Sequence, residues 1–394
     1  MRKTRWVTGT GAVLAACLAA VTACDRGAEV RAAPSDAAAA VPAPPRKVVE
    51  RFQARLVASS GEDAPFSAVT GLDVDSEGRI YVADWLLPDV VVLGPDGRHV
   101  RSIGRRGSGP GEFQRVSSVQ VLPGDSVLVF DRGLRRVTVF PPSGGEAAYT
   151  IGLHAKRLPM LPMAVMRVPG SELLVAWYSA PYTAQAFGPD GSRPLDALRV
   201  LTAQGEVERD SLLLFPSAEQ LVVRSRGRLS VGPHPFGREA YVRVLAGDRL
   251  VYAWNDSIGF KIVGLDGRLI ARLGEPHGWL EVTAEELRQL ETEVPPHAVE
   301  VLRAAEPKTW PALQGMVVDD LNRVWLGVRT RGEQTEWAAY TLDGHYIGSA
   351  LLPRELALHA IRWPRAYGVI VDELDVPTIV IYELSETPQP LPEP

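Results

Sequence analysis

The residue types that most often carry chemistry form no local catalytic or metal-binding motif in this sequence. Its seven histidines show neither the HxH nor the HExxH spacing that directs two imidazoles to one metal ion. It contains no GxSxG segment, so the bend that presents a nucleophilic serine is not indicated. Both cysteines, Cys17 and Cys24, lie near the N-terminus, which excludes a disulfide, a cysteine nucleophile and a thiolate metal site from the rest of the chain.

Two short segments imitate chemical sites but have structural interpretations. The glycine-rich segment Gly104–Phe113, GRRGSGPGEF, is similar in composition to a phosphate loop. A predicted strand, Ser117–Leu122, follows it, so there is no helix N-terminus to bind an anion, and we predict a structural linker. Asp84 and Asp131 close predicted strands just before turns, where we expect their carboxylates to cap backbone N–H groups.

Charged and aromatic residues gather in four longer segments, of which three are basic and the fourth is rich in glutamate. This polarity favours an anionic or zwitterionic partner, which is either a ligand or a protein of the cell envelope. The alternative is that these are ordinary solvated loop charges, and that the histidine–aromatic pairs hold the loops against the rim of the fold. The candidate residues for a ligand or partner surface are Arg105, Arg106, His154, Arg157, Arg226, His234, Phe236, Arg238, His277 and Trp279.

A seven-residue apolar pattern recurs six times and separates these segments. Its copies start about 45 residues apart, or about 75 where an insertion intervenes, which is the period of four-stranded β-propeller blades. The sequence therefore predicts an all-β, six-bladed β-propeller, with a seventh, degenerate blade near Gln220–Val231 as the alternative. The copies are Gly78–Asp84, Asp125–Asp131, Ser171–Trp177, Asp248–Trp254, Asn322–Val328 and Ala366–Asp372.

The ring is predicted to close through the N-terminal strand. The last repeat offers only three strands, and the lone strand Val48–Val57 supplies the fourth and outermost one, which removes the exposed sheet edges of an open ring. Two insertions are expected: a hairpin within Ser217–Gly237, and a helix within Glu281–Ala305 that starts at a capping box. The other five predicted blades are Phe66–Ile103, Phe113–Ile151, Pro162–Leu214, Glu239–Leu273 and Leu313–Leu352.

Loop length is concentrated on one face of the predicted ring. The turns between first and second strands, and between third and fourth strands, are tight and share one face, called here the turn face. The opposite face, called the mouth face, carries the second-to-third loops and the links between blades. Because long loops on a rigid scaffold commonly carry function, we expect a ligand or partner to bind the mouth face.

Two segments resemble known propeller families. Val129–Phe140, VFDRGLRRVTVF, is similar to the repeat core of NHL-type propellers, and Gly104–Phe113 resembles the blade-linking segment of six-bladed propeller lipoproteins of environmental bacteria. The resemblance covers most of Phe52–Leu384. It implies the fold but little about activity, because propellers host binding, scaffolding and several chemistries.

The N-terminus has the features of a bacterial lipoprotein signal. Three cations precede an uncharged run, and Val21-Thr22-Ala23-Cys24 resembles a lipobox, which implies lipidation of Cys24. An uncleaved membrane anchor is the alternative. The predicted organisation is a signal peptide at 1–23, an Ala/Pro-rich tether at 24–46, a propeller at 47–384 with its helical insertion at 281–305, and a Pro-rich tail at 385–394.

These features together predict a lipid-anchored protein of the cell envelope, in either membrane, whose propeller binds a ligand or protein without catalysis. A net charge of −5 argues against nucleic acid as a partner. The alternative is a lactonase- or lyase-like enzyme with its site in the central channel, and a structural spacer is a third possibility. No cofactor is predicted, although a calcium or zinc ion in the channel stays open, because residues from several blades could assemble such a site.

Overall fold

Short apolar strands separated by tight turns form six four-stranded blades. Blades 1 to 4 are separate antiparallel sheets, whereas the N-terminal strand joins blades 5 and 6 into one eight-stranded sheet. The computed structural model describes residues 50–61, 66–153, 162–179, 193–225, 228–275, 280–305 and 308–386. The first strand among the described residues is β1 (Glu50–Ser59). Blade 1 contains β2 (Val69–Val74), β3 (Ile80–Asp84), β4 (Val90–Leu93) and β5 (His99–Ile103), and the link after it contains β6 (Arg105–Arg106) and β7 (Glu112–Phe113).

Blades 2 to 4 follow in chain order, with a two-stranded hairpin between blades 3 and 4. Blade 2 contains β8 (Val116–Val121), β9 (Val127–Asp131), β10 (Arg136–Phe140) and β11 (Tyr149–Gly152). Blade 3 contains β12 (Pro162–Arg167), β13 (Leu174–Tyr178), β14 (Leu195–Leu201) and β15 (Val207–Pro216). The hairpin is β16 (Gln220–Ser225) with β17 (Arg228–Pro233), and blade 4 contains β18 (Ala240–Leu245), β19 (Arg249–Trp254), β20 (Ile258–Gly264) and β21 (Leu269–Glu275).

A helical insertion precedes the last two blades. It consists of α1 (Ala284–Glu293), a 3-10 turn (Pro296–Ala298) and α2 (Val299–Ala304). Blade 5 contains β22 (Leu313–Val318), β23 (Val324–Arg329), β24 (Gln334–Tyr340) and β25 (Tyr346–Pro353), and blade 6 contains β26 (Ala357–Arg362), β27 (Arg365–Val371) and β28 (Pro377–Glu386). The innermost strand of each blade contacts that of the next, and β26 contacts β2, so the six blades form a closed ring.

The N-terminal strand completes blade 6, which confirms the predicted closure. β1 pairs antiparallel with β28, from Phe52 opposite Glu386 to Ser59 opposite Val380. The start of β1 also pairs in parallel with β25 of blade 5, where Phe52 lies opposite Ala350. The N-terminal segment therefore closes the ring and covers the outer edge of β28.

A contact that recurs around the ring shows that β1 takes the place of an ordinary outer strand. Gly97, in the third-to-fourth turn of blade 1, has φ +82°, and a Cβ there would lie 2.5 Å from the carbonyl oxygen of Ser59 in β1. Gly205, in the same turn of blade 3, has φ +80° and stands equally close to Gly152, the end of the outer strand of blade 2. Each of these turns thus packs its backbone directly on the preceding blade.

Two first-to-second turns are held by the same buried carboxylate network. In blade 1, Asp75 accepts hydrogen bonds from the Arg79 Nε atom at 2.6 Å and from the Tyr81 hydroxyl at 2.9 Å. In blade 5, Asp319 accepts from Arg323 Nε at 2.6 Å and from Trp325 Nε1 at 2.8 Å. Both carboxylates also accept backbone N–H groups of their own turn, so one side chain fixes the turn, the arginine and an aromatic residue of the second strand.

The hairpin β16–β17 and the helical insertion form one small unit, which we call the cap. Leu221 and Phe236, at the two ends of the hairpin region, share a buried apolar cluster with Leu290, Ala298 and Leu302 of the helical segment and with Trp310. The hairpin therefore packs against the helical insertion and is not a seventh blade, so the propeller has six blades. Helix α1 begins at Thr283, whose side chain accepts from Glu286 N while the Glu286 carboxylate accepts from Thr283 N, which confirms the predicted capping box.

Candidate functional site

The glycine-rich segment between blades 1 and 2 is a structural linker, as predicted. The Glu112 carboxylate accepts hydrogen bonds from Arg105 Nε at 3.0 Å and from the Gly109 backbone N–H at 2.8 Å. Arg136 of blade 2 donates to the carbonyl oxygens of Ser108, Gly109 and Glu112. The polar groups of the segment are thus directed at each other and at the neighbouring blade, and they do not form an anion-binding loop.

Asp84 and Asp131 cap backbone groups, which confirms the structural interpretation of these two acids. The Asp84 carboxylate accepts the N–H groups of Ser67 and Ala68, and that of Asp131 accepts those of Gln114 and Arg115. In each case the donors belong to the segment that leads into the same blade. Both carboxylates are fully buried, so their acceptor sites are used within the protein.

The predicted surface residues fall into three groups. Arg105 and Arg106 are exposed on β6, and Arg105 forms an ion pair with Glu112 at 2.9 Å. His234, Phe236 and Arg238 lie together beside the cap. The remaining predicted residues, His154, Arg157, Arg226, His277 and Trp279, lie outside the residues that the structure describes, as does Cys24.

His234, Phe236 and Arg238 attach the cap to blade 4. Phe236 is buried in the cap cluster and meets the His234 ring edge-on, with ring centroids 4.4 Å apart. Arg238 is also buried, and it donates to the Thr309 carbonyl oxygen at 2.7 Å and to the Thr309 hydroxyl at 2.6 Å. Burial, together with the nearby Arg238 charge, lowers the pKa of His234 to about 4, so its imidazole is neutral at physiological pH.

A pocket that the sequence did not single out lies where the cap meets blades 5 and 6 on the mouth face. Three arginines converge on it: Arg329 ends β23, Arg331 follows in the second-to-third loop, and Arg354 comes from the link to blade 6. The pocket is open, with an empty volume of about 240 Å³ including its solvent-facing entrance. The other lining residues are Leu280 and Glu286 from the cap, Trp310 and Thr330.

Local contacts hold two of the three arginines of this pocket in place. The Arg329 guanidinium lies over the Trp310 ring, 4.5 Å from its centroid, and Trp310 is itself held in the cap cluster. Arg354 donates from Nη2 to the Thr330 carbonyl oxygen at 3.0 Å. Its backbone N–H binds the Glu333 carbonyl oxygen at 2.9 Å, which joins the link to the neighbouring loop. The pocket walls are therefore set by the packing of blade 5 against the cap.

The pocket is strongly cationic. Burial and the adjacent Arg354 charge lower the pKa of Arg329 to about 10, so the guanidinium remains protonated near neutral pH. Burial alone would raise the pKa of Glu286, but its hydrogen bonds from Thr283 and the Arg331 charge outweigh burial and hold that pKa below its usual range. One carboxylate, already engaged as the helix cap, thus faces three guanidinium groups. Such a site can accept an oxyanion or carboxylate.

One signal for this pocket is present in the sequence, although it belongs to none of the motifs described above. The Arg-Thr-Arg run at 329–331 follows a predicted strand directly, at a second-to-third loop. Arg354 is distant from that run in the sequence, and Glu286 comes from the insertion. Their convergence depends on how the link between blades 5 and 6 passes the cap, which only the folded ring determines.

Within the described parts of the chain, no three His, Cys, Asp or Glu side chains lie close enough together to hold one metal ion. Among the same residues, no helix is both long and apolar enough to cross a membrane.

Comparisons with known proteins agree with the architecture. A family model described as a 6-bladed beta-propeller matches residues 62–187, so this part of the chain is similar to that family. No match was found among curated proteins.

Several solved structures are similar to the chain at low identity. A protein of Bacteroides fragilis described as exported is 11% identical, with 86% of this chain and 97% of that chain covered and a TM-score of 0.49. A member of the DUF4221 family from Bacteroides vulgatus is 10% identical, with 86% and 99% covered and a TM-score of 0.48. Virginiamycin B lyase from Staphylococcus aureus is 10% identical, with 85% and 100% covered and a TM-score of 0.38. Identities this low concern the fold and not the activity.

Proposed function

We propose that this chain is an exported, lipid-anchored protein whose propeller binds an anionic ligand on the mouth face, without catalysis. The observation that carries the proposal is the convergence of Arg329, Arg331 and Arg354 on one open pocket. The ligand class is a molecule with a carboxylate, phosphate or sulfate group, since planar guanidinium groups bind these oxyanions in a bidentate manner.

The balance of charge supports an anion rather than a neutral ligand. Among the described residues, neither Arg331 nor Arg354 forms an ion pair within 4.0 Å, although many exposed arginines elsewhere do. Arg329 and Arg354 lie close enough for the charge of one to lower the pKa of the other. A bound oxyanion would offset this repulsion, and the partly buried setting strengthens the attraction relative to bulk water.

The anchor and the pocket are suited to opposite sides of the ring. β1 starts beside Glu386, the end of β28, where the chain reaches the turn face. A tether that runs from a lipidated Cys24 into β1 would therefore leave from the turn face and present the mouth face to the surroundings. The similarity of Val129–Phe140 to NHL repeats supports placing the chain among NHL-like propeller lipoproteins. Lipid labelling in the native host tests the anchor, because Cys24→Ser should abolish it.

The pocket is tested by thermal unfolding of the protein that lacks residues 1–23, titrated with phosphate and sulfate at constant ionic strength. Arg354→Gln should weaken binding by about 10- to 100-fold, since a charge-assisted hydrogen bond contributes about 1.5–3 kcal/mol. The matched control is Arg268→Gln, which alters an exposed arginine on the third-to-fourth turn of blade 4. Equal ligand responses in both variants would exclude the pocket as the binding site.

One observation favours a second candidate, an enzyme with its site near the channel mouth. Burial raises the pKa of Glu239 to about 7, although the Tyr241 hydroxyl donates to its carboxylate at 3.0 Å. A carboxyl that titrates near neutral pH is suited to general acid–base catalysis. A screen of lactones and glycosides with wild type and Glu239→Gln tests this candidate, which requires turnover that the substitution abolishes.

A further inference from the structure

Polar side chains tie neighbouring innermost strands together along one half of the central channel. In blade 1, the Asp73 carboxylate accepts the backbone N–H of Val121 in blade 2 at 2.7 Å. In blade 2, the Gln120 side chain accepts the backbone N–H of Arg167 in blade 3 at 2.8 Å and donates to its carbonyl oxygen at 2.9 Å. The same strand position thus binds the exposed edge of the next blade twice in succession.

In blade 4 this position is occupied by Arg243. In each of these blades, one pair of residues closes the turn between the first and second strands. Two residues before that pair lie Asp73, Gln120 and Arg243, which pair with Tyr81, Leu128 and Val251 of the second strands. A guanidinium has no acceptor for a backbone N–H. The Arg243 side chain instead donates to the Val242 carbonyl oxygen at 2.9 Å, and within the described residues it forms no ion pair. It is therefore a half-buried cation without an ion-pair partner within 4.0 Å among the described residues.

The edge that faces Arg243 offers a second donor. Val318 in blade 5 occupies the position of Val121, one residue before a pair in which Asp319 N binds the Arg323 carbonyl oxygen. Because narrow and wide pairs alternate in an antiparallel ladder, the Val318 N–H points out of the sheet edge, as that of Val121 does. The acceptor that Asp73 supplies to Val121 has no counterpart in the Arg243 side chain.

Blade 6 completes the surroundings of Arg243. His359 is half-buried on β26, and burial together with the Arg243 charge lowers the pKa of its imidazole to about 4. Arg362 lies at the end of the same strand and approaches the Val74 carbonyl oxygen of blade 1. Asp73, the acid whose charge acts on Arg243, already accepts the backbone N–H groups of Val74 in its own strand and of Val121 in blade 2. Asp73 thus acts on the Arg243 guanidinium through space only, since the described residues include no carboxylate within ion-pair distance of it.

We propose that the channel holds a small carboxylate or comparable oxyanion between blades 4 and 5, bound by the Arg243 guanidinium and the Val318 backbone N–H. The ligand would act between blades 4 and 5 as the Asp73 side chain acts between blades 1 and 2. It would also give a desolvated arginine the partner that such a group requires. This site is separate from the Arg354 pocket and shares no residue with it.

Acetate is the probe, and thermal unfolding at constant ionic strength near pH 7.5 is the measurement, on the protein that lacks residues 1–23. Wild type and Arg354→Met should show a saturable rise in melting temperature with acetate, and Arg243→Met should show none. Without acetate, Arg243→Met should unfold at the wild-type temperature or above it, because an uncompensated cation has been removed. Arg243→Lys keeps the charge but not the planar fork, and it should bind acetate at least 10-fold more weakly.

The proposal is overturned if acetate stabilises Arg243→Met as much as wild type, or if no saturable rise occurs in wild type. It is also overturned if Arg354→Met alone abolishes the response, since acetate would then act only at the mouth pocket. If Arg243→Met does not fold, the Arg243→Lys titration decides, and wild-type affinity in that variant contradicts the assigned geometry. Failure of phosphate and sulfate to bind the mouth pocket would leave the channel experiment unaffected.

Discussion

Replacing Asp319 by alanine should destabilise the protein much more than replacing an exposed aspartate of a similar turn. Its side chain is fully buried, and its carboxylate accepts four hydrogen bonds, from Leu321 N, Arg323 N, Arg323 Nε and Trp325 Nε1. The Arg323 side chain is 13% exposed and lies between the rings of Trp325 and Trp363, where Asp319 is its ion-pair partner. Removing the acid leaves a largely buried guanidinium unpaired, which costs about 3–5 kcal/mol.

Asp372→Ala is the matched control for this prediction. Asp372 accepts the backbone N–H groups of Leu374 and Val376 through the same kind of turn, but it is exposed and binds no arginine or aromatic side chain in the described structure. Its removal should cost about 0.5–1.5 kcal/mol, the net value of ordinary hydrogen bonds. The measurement is urea unfolding of the protein that lacks residues 1–23, followed by tryptophan fluorescence. Equal losses in the two variants would show that the buried carboxylate contributes no more than an exposed turn residue.

Three further predictions concern closure, turn packing and pH. Deleting residues 48–57 should cause aggregation or a large fall in melting temperature, because it exposes the edge of β28. Deleting residues 25–45 should change neither, and similar melting temperatures of the two variants would contradict the closure. Gly97→Ala should destabilise the protein more than Gly124→Ala in denaturant titrations. Both residues have φ +82°, but only at Gly97 would the added Cβ have backbone atoms, those of Ser59, within 4 Å. Equal effects would exclude a tight contact with β1. Burial lowers the pKa of His359 to about 4 from 6.5, so wild type should lose stability as pH falls through that window, and burial raises the pKa of Asp73 from 3.8 to about 6, which acts in the opposite direction. Melting temperatures between pH 7 and pH 4 should therefore fall less in His359→Gln and more in Asp73→Asn than in wild type, and identical profiles would contradict both assignments.

The fold could be predicted because each blade carries its own local instructions. Turns that contain glycine or aspartate join the strands within blades 1, 2, 4 and 5. The observed blades agree with the predicted ones to within a few residues at each end, as for the fifth blade, predicted at Leu313–Leu352 and observed at Leu313–Pro353. The cap helix was also predictable, since Thr283 and Glu286 specify its start through a local hydrogen-bond pair. Closure followed from counting strands, because a strand without a partner must find one elsewhere in the ring.

The candidate sites could not be predicted in the same way, because their residues meet only through the ring. Arg331 and Arg354 belong to different connections, and Glu286 belongs to the insertion between blades 4 and 5. Arg243 belongs to no motif in the sequence, and only the strand registers show that it holds the position of Asp73 and Gln120 in its own blade. Local patterns specify a blade, whereas a site between blades depends on where each connection lies relative to the axis.

One local feature marks a group of arginines that are neutralised within their own turn. Arg79 and Arg323 each follow an aspartate by four residues, and Arg268 follows Asp266 by two, and in all three the arginine is paired with that acid in the fold. The arginines of the mouth pocket, at 329, 331 and 354, have no acid two or four residues before them. A turn that contains its own carboxylate neutralises its arginine before any partner arrives, so such an arginine supports the fold. Among the described residues, Arg331 and Arg354 form no ion pair within 4.0 Å, so their charge is accessible to a ligand, and the mouth pocket is therefore a place to search for one.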